Sequence, residues 1–186
     1  MNKKSLATIV SLGLLTSVSA GVLPKAAHAE DQTSANTNSS VTFTSGGLNI
    51  SDAPKAIDFG SHSLTGKAQS YSETTPSSLS VGDYRGQSSE GWQLNAKLQT
   101  ADFHGMSLSI HPTGAAGTTD YATFTTQTLN GSEAPIAKVT PENVSKEKPD
   151  TSFTLGAKID IPENTPLNAQ TYTNTIQWNL VTVPTA

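Results

Sequence analysis

Apolar and polar residues alternate in short segments along most of the chain. Residues 92–98 place an apolar side chain at every second position, and the same pattern recurs in residues 172–180, apart from Asn174. In a β-strand, residues i and i+2 point to the same face. Both segments therefore predict half-buried strands with one apolar face and one polar face.

Other short segments with strand character are separated by turns rich in Gly, Pro, Asn and Asp. No long segment has helical periodicity, although one helical turn is expected at 141–146 with Thr140 as its N-cap. Many short strands with regular turns predict an all-β fold, a sandwich-like or Greek-key antiparallel β domain with little helix. The predicted strands are 41–44, 48–50, 56–59, 79–84, 91–99, 106–111, 122–126, 136–139, 152–161 and 170–182.

The N-terminal region has the pattern of a secretory signal. Lys3 and Lys4 precede a mostly apolar stretch, and Ala27-His28-Ala29 has the small-x-small pattern that signal peptidase requires. A membrane anchor is the weaker alternative, because the apolar stretch is short for a bilayer span. We predict a signal peptide at 1–29, a flexible leader at 30–40 and one β domain at 41–184.

The net charge and the absence of cysteine exclude several classes of binding partner and of attachment. The predicted signal contains three of the 11 basic residues and no acidic residue, so the mature chain carries 8 basic and 15 acidic residues, a net charge of −7. This charge argues against nucleic acid, anionic membranes and anionic wall polymers as partners. The absence of cysteine excludes disulfides and a lipid anchor on cysteine.

The sequence offers no recognisable catalytic arrangement. Three histidines remain after the predicted cleavage, His62, His104 and His111, and none lies in a known hydrolase or zinc motif. Acidic residues occur in no recognisable glycosidase or calcium-binding context. We therefore expect a protein that is not an enzyme and that uses no cofactor and no metal.

Both tryptophans of the chain occur in Trp-x-Leu tripeptides, Trp92-Gln93-Leu94 and Trp178-Asn179-Leu180. The segment 79–86, Leu-Ser-Val-Gly-Asp-Tyr-Arg-Gly, leads into the first tripeptide, and the second lies in the strand-like segment just before Pro184. These features resemble the WxL domain of Gram-positive surface proteins, over roughly residues 41–184. The length is similar to that of the small, single-domain members.

The resemblance implies a location at the cell surface and non-covalent attachment to the cell wall, with peptidoglycan as the ligand. It also implies an alternative, in which the chain is a subunit of a surface complex. In that case the WxL domain docks onto other WxL proteins or onto a membrane-anchored WxL-interacting protein.

The motif residues are the first candidates for ligand contact: Trp92, Leu94, Trp178 and Leu180. Exposed aromatic rings stack on sugars, but strand alternation favours the alternative that both tryptophans are mainly structural. The opposite strand faces are second candidates, because amides bond to glycan hydroxyls; the alternative is a solvated face. These polar candidates are Gln93, Asn95, Lys97, Gln177 and Asn179.

Two further features are open at this point. Asp83 and Arg85 lie two residues apart and form either a structural ion pair or a ligand clamp, with the ion pair favoured. The long final strand is a candidate for pairing with another chain by β-augmentation, with the leader as one donor.

Overall fold

The computed structural model describes residues 38–86 and 90–184. The chain divides into two units, Met1–Thr42 and Phe43–Ala186, and every strand among the described residues belongs to the second unit. The predicted signal peptide at 1–29 and residues 30–37 of the predicted leader lie outside the described residues. The predicted boundaries at residues 29 and 40 therefore stay predictions.

The described residues form twelve strands and one short 3₁₀ helix, so the predicted all-β class is confirmed. The helix, Pro141–Lys146, lies where a helical turn was expected, with Thr140 at its N-cap position but without a capping side-chain hydrogen bond. The strands are β1 Leu48–Asp52, β2 Gln69–Ser72, β3 Ser78–Asp83, β4 Gly91–Leu98, β5 Ser107–Ile110, β6 Thr113–Gly114, β7 Ala122–Phe124, β8 Gln127–Leu129, β9 Ala134–Val139, β10 Asp150–Thr154, β11 Lys158–Ile161 and β12 Ile176–Val183.

The strands form three antiparallel four-stranded sheets. Sheet 1 has the order β1-β3-β10-β6, sheet 2 has the order β2-β11-β5-β8, and sheet 3 has the order β12-β4-β9-β7. All three sheets contribute side chains to a single apolar core. This arrangement is that of a β-sandwich, in which alternate residues of each strand face inward.

The predicted strand at 152–161 is two strands that belong to different sheets. Gly156 has a φ of +57°, a backbone conformation that residues with a side chain rarely adopt. It separates β10 of sheet 1 from β11 of sheet 2. The inward alternation continues through this break, with Phe153, Leu155 and Ala157 all buried. The glycine therefore lets one continuous apolar face serve two sheets.

Other strand predictions differ from the structure. The predictions at 41–44 and 56–59 are wrong, because these residues form no strand. The long segment 170–182 becomes a strand only from Ile176. Three short strands with little apolar content, β2, β6 and β8, were not predicted. Among the described residues, no helix is long and apolar enough to span a bilayer.

Candidate functional site

The two Trp-x-Leu segments lie side by side. β4 and β12 are antiparallel neighbours in sheet 3 and pair along eight residues. The register places the two leucines of the motif directly opposite each other. The cross-strand pairs around them are Trp92–Thr182, Leu94–Leu180 and Ala96–Trp178.

Trp92 belongs to the core. Its side chain is fully buried, together with Leu94, Ala96 and Leu98 of the same face, as the alternation indicated. The indole N–H donates a hydrogen bond to the carboxylate of Glu147, the residue that caps the end of the 3₁₀ helix. Burial raises the pKa of Glu147, and the bond from Trp92 opposes this rise only in part. Trp92 therefore connects sheet 3 to the helix.

Trp178 lies in a different environment. Its side chain is half-buried and packs against the edge of the core. It also lines a cavity of about 330 Å³, together with Ile57, Phe103 and Tyr172. Of the two motif tryptophans, Trp178 is the one whose surroundings leave room for a ligand.

The polar candidates meet on the opposite face of sheet 3. Asn179 of β12 is opposite Asn95 of β4, and Gln177 is opposite Lys97. Gln177 and Asn179 are exposed, Gln93 and Lys97 are half-buried, and Asn95 is 8% exposed. We call this surface the polar face; it consists of Gln93, Asn95, Lys97, Gln177 and Asn179.

Glu133, just before β9, lies at the centre of the polar face. The Asn179 Nδ2 donates to both carboxylate oxygens of Glu133 at 3.1 Å, and the Asn95 Nδ2 donates to one of them at 3.3 Å. Lys97 Nζ lies 3.8 Å from the same carboxylate. Gln93 donates to the Asn95 side-chain oxygen at 2.8 Å. These bonds fix the orientation of the amides of Gln93, Asn95 and Asn179.

Glu133 was not singled out from the sequence. It lies in the turn after Asn130-Gly131, and no local pattern connects it to residues 95 or 179. Only the antiparallel pairing of β4 with both β12 and β9 brings it there. Hydrogen bonds between residues that are 38 and 46 positions apart give no signal in a single sequence.

Asp83 and Arg85 form a two-point ion pair. Arg85 Nη2 and Nε donate to the two oxygens of Asp83 at 2.5 and 2.8 Å. The Asp83 side chain is only 4% exposed and the Arg85 side chain 14%. Burial alone would raise the pKa of Asp83, but the bonds from Arg85 lower it below its ordinary value. Arg85 also donates to the carbonyl of Gly91 at 3.4 Å. The pair therefore secures the start of β4, as the favoured interpretation expected.

The described residues contain no group of three or more His, Asp or Glu side chains that could hold a metal ion. The polar face and Glu133 together offer amides, the ammonium group of Lys97 and one carboxylate. Such groups recognise ligands through hydrogen bonds.

A family model described as WxL domain surface cell wall-binding matches residues 21–184. The chain belongs to the WxL domain family. The match covers nearly the whole chain and places this protein at the cell surface, at the cell wall. No curated protein matches the chain. In this WxL domain, the first Trp-x-Leu motif lies on the inner strand β4, and the second lies on β12, the outer strand that pairs with it in the same sheet.

Proposed function

We propose that this WxL domain attaches non-covalently to the cell wall by binding peptidoglycan through the polar face. The observation that carries the proposal is the convergence of four polar side chains on the carboxylate of Glu133 or on its immediate partner. Because these groups are already oriented before a ligand arrives, binding costs less side-chain entropy.

The polar face matches the chemistry of peptidoglycan. Amide groups donate to and accept from the hydroxyl and acetamido groups of the glycan and the peptide bonds of the stems. Lys97 supplies a cation for a stem carboxylate, and Glu133 accepts hydrogen bonds from hydroxyl or ammonium groups. Gln177 and Asn179 are exposed and are therefore the side chains that a ligand meets first.

We infer that this chain binds without catalysing a reaction on the wall. Glycoside hydrolysis uses two carboxyl groups that flank the scissile bond. Among the described residues, Glu133 is the one acidic side chain bonded to the polar face.

The second candidate function is that of a subunit in a surface protein complex. β12 is the outer strand of sheet 3, it is eight residues long, and it contains neither Pro nor a charged residue. Edge strands that avoid pairing are usually short or carry such residues. The edge of β12 therefore suits β-augmentation by another WxL protein or by a membrane-anchored WxL-interacting protein.

Co-sedimentation with purified, protein-free sacculi tests the first proposal against the second. Pelleting of the chain at low protein concentration supports direct binding to peptidoglycan. If the chain stays in the supernatant and pellets only after a wall-anchored protein partner is added, the complex is supported and the direct proposal is wrong.

A further inference from the structure

A concave surface lies outside the polar face and shares no residue with it. It is a cleft of about 600 Å³, and its walls come mainly from residues 57–64 and 167–172 with contributions from β2 and β11. We call it the aromatic cleft. Its aromatic and aliphatic lining includes Phe59, Tyr71, Phe103, Tyr172, Ile159 and Leu167. This volume and this lining are typical of sites for small or extended ligands.

The aromatic rings of the cleft are held by defined contacts. The Tyr172 hydroxyl donates to the Asn168 carbonyl at 3.2 Å and accepts from the Asn168 N–H at 2.7 Å. The His62 ring stacks on Tyr71 with 3.5 Å between centroids and 8° between planes. Side chains fixed in this way lose little entropy when a ligand binds.

The exposed residues that line the cleft, which we call its rim, are mostly polar. The rim includes Ser61, Ser63, Asn168 and Gln170, whose side chains offer both donors and acceptors. Among the described residues that line the cleft, none is Lys, Arg, Asp or Glu. The cleft therefore suits a neutral ligand with apolar faces and many hydroxyl or amide groups, because a buried charge would lack a partner.

We propose that the aromatic cleft binds an uncharged pyranose chain built of N-acetylhexosamine units. Sugar rings present flat C–H faces to aromatic rings and hydroxyl groups to the rim. The adjoining cavity of about 330 Å³ shares Phe59 and Phe103 with the cleft and reaches Trp178. Lys55 and residues 173–175 also line it, and its apolar side gives a surface for the acetyl methyl group. The proposal rests on the proposed function for the source of this chain, the glycan strand of the wall.

An apolar peptide segment is the other occupant that the lining would admit. The sugar chain is favoured because the rim contains amide and hydroxyl groups that can pair with sugar hydroxyls. A peptide would be revealed by the test below as sacculus binding that depends on the cleft without any affinity for oligosaccharide, and this result would overturn the proposal.

Isothermal titration of the mature chain with chitohexaose is the direct test, with cellohexaose as the ligand that lacks acetamido groups. We expect chitohexaose to bind and cellohexaose to bind at least tenfold more weakly, a difference of about 1.4 kcal/mol. Absence of chitohexaose binding overturns the proposal. Equal binding of both ligands overturns the assignment of the acetyl group.

Two tryptophan substitutions locate the binding. Ala169→Trp adds a large ring to an exposed residue that lines the cleft, and Thr128→Trp adds the same ring to an exposed residue of β8 outside it. We expect at least a tenfold loss of chitohexaose affinity in the first variant and none in the second. Equal affinity in both variants would place the sugar elsewhere and contradict the proposal.

The outcomes separate this inference from the proposed function. A chain that pellets with sacculi but does not bind chitohexaose retains the proposed function and loses the inference. A chain that binds chitohexaose but does not pellet with sacculi contradicts the proposed function alone.

Discussion

Leu94 of β4 lies directly opposite Leu180 of β12 in the antiparallel register of sheet 3. The two Trp-x-Leu motifs are thus related by an approximate local two-fold axis through this leucine pair. The two tryptophans occupy equivalent positions in the ladder but unequal surroundings, because β4 is an inner strand and β12 is the outer strand. One tryptophan is fully buried and the other is half-buried.

The two tryptophans should therefore contribute unequally to stability. We expect Trp92→Ala to lower the free energy of unfolding by about 3–5 kcal/mol, because it removes a fully buried ring. Trp178→Ala should cost clearly less, because part of that ring is already in contact with solvent. Urea unfolding followed by circular dichroism measures both values. A larger loss for Trp178→Ala than for Trp92→Ala would contradict the assigned burial.

The ion pair of Arg85 and Asp83 should stabilise the fold. Arg85→Ala leaves a nearly buried carboxylate without its partner, and we expect a loss of about 3–5 kcal/mol in the free energy of unfolding. Arg85→Lys keeps the charge but lacks the two-point geometry, and it should recover only part of this loss. Chemical denaturation of both variants provides the measurement. An Arg85→Ala variant as stable as the wild type would favour the ligand clamp.

The residue before Trp92 must lack a side chain. A Cβ added at Gly91 would lie 2.1 Å from the Val139 carbonyl oxygen of the neighbouring strand, whereas one added at Gly47 would meet no atom within 4 Å. We expect Gly91→Ala to destabilise the protein by about 1–3 kcal/mol or more, through forced separation of β4 and β9. Gly47→Ala is the matched control and should change the melting temperature little. Similar melting temperatures for the two variants would contradict this packing.

The ionised carboxylate of Glu147 should lower the free energy of unfolding at neutral pH. Burial raises the pKa of its carboxyl above the ordinary value of 4.5, so the folded state binds the proton more tightly than the unfolded chain. The stabilisation that comes from this tighter proton binding is present below pH 4.5 and is lost as the pH rises through the folded pKa. Glu147→Gln keeps an oxygen that accepts from Trp92 but cannot ionise.

We therefore expect the stability of Glu147→Gln, relative to the wild type, to increase between pH 4 and pH 7. Urea unfolding at both pH values gives this difference, and the other carboxyl groups cancel because both proteins contain them. A relative stability that falls over this interval would show that the ionised form of Glu147 is favoured in the fold, contrary to the burial argument.

Local alternation was sufficient to predict the strands that matter most for the site. β4 and the end of β12 were predicted with the correct inward faces, because one buried face imposes a period of two on the sequence. The same rule failed at residues 56–59, where apolar side chains line a cleft without any strand pairing. It also wrongly predicted a strand at 170–175, where Tyr172 alternates with exposed residues in a loop.

The arrangement between strands could not be predicted in the same way. The pairing of Leu94 with Leu180, the position of Glu133 and the aromatic cleft all depend on contacts between distant parts of the chain. At Gly156 the chain passes from one sheet to another, but the apolar alternation on either side is unchanged, so the sequence pattern does not reveal the break. A period of two reports burial and does not report which strand is the neighbour.

The role of the polar face is tested most directly by sacculus co-sedimentation of a double variant, Gln177→Ala with Asn179→Ala. The matched control is Thr126→Ala with Thr128→Ala, which truncates two exposed side chains that are not part of that face. Circular dichroism checks that both variants are folded. We predict that the wild type and the control pellet equally, and that the polar-face variant needs at least a tenfold higher concentration, about 1.4 kcal/mol. A folded polar-face variant that pellets like the wild type would contradict binding through the polar face.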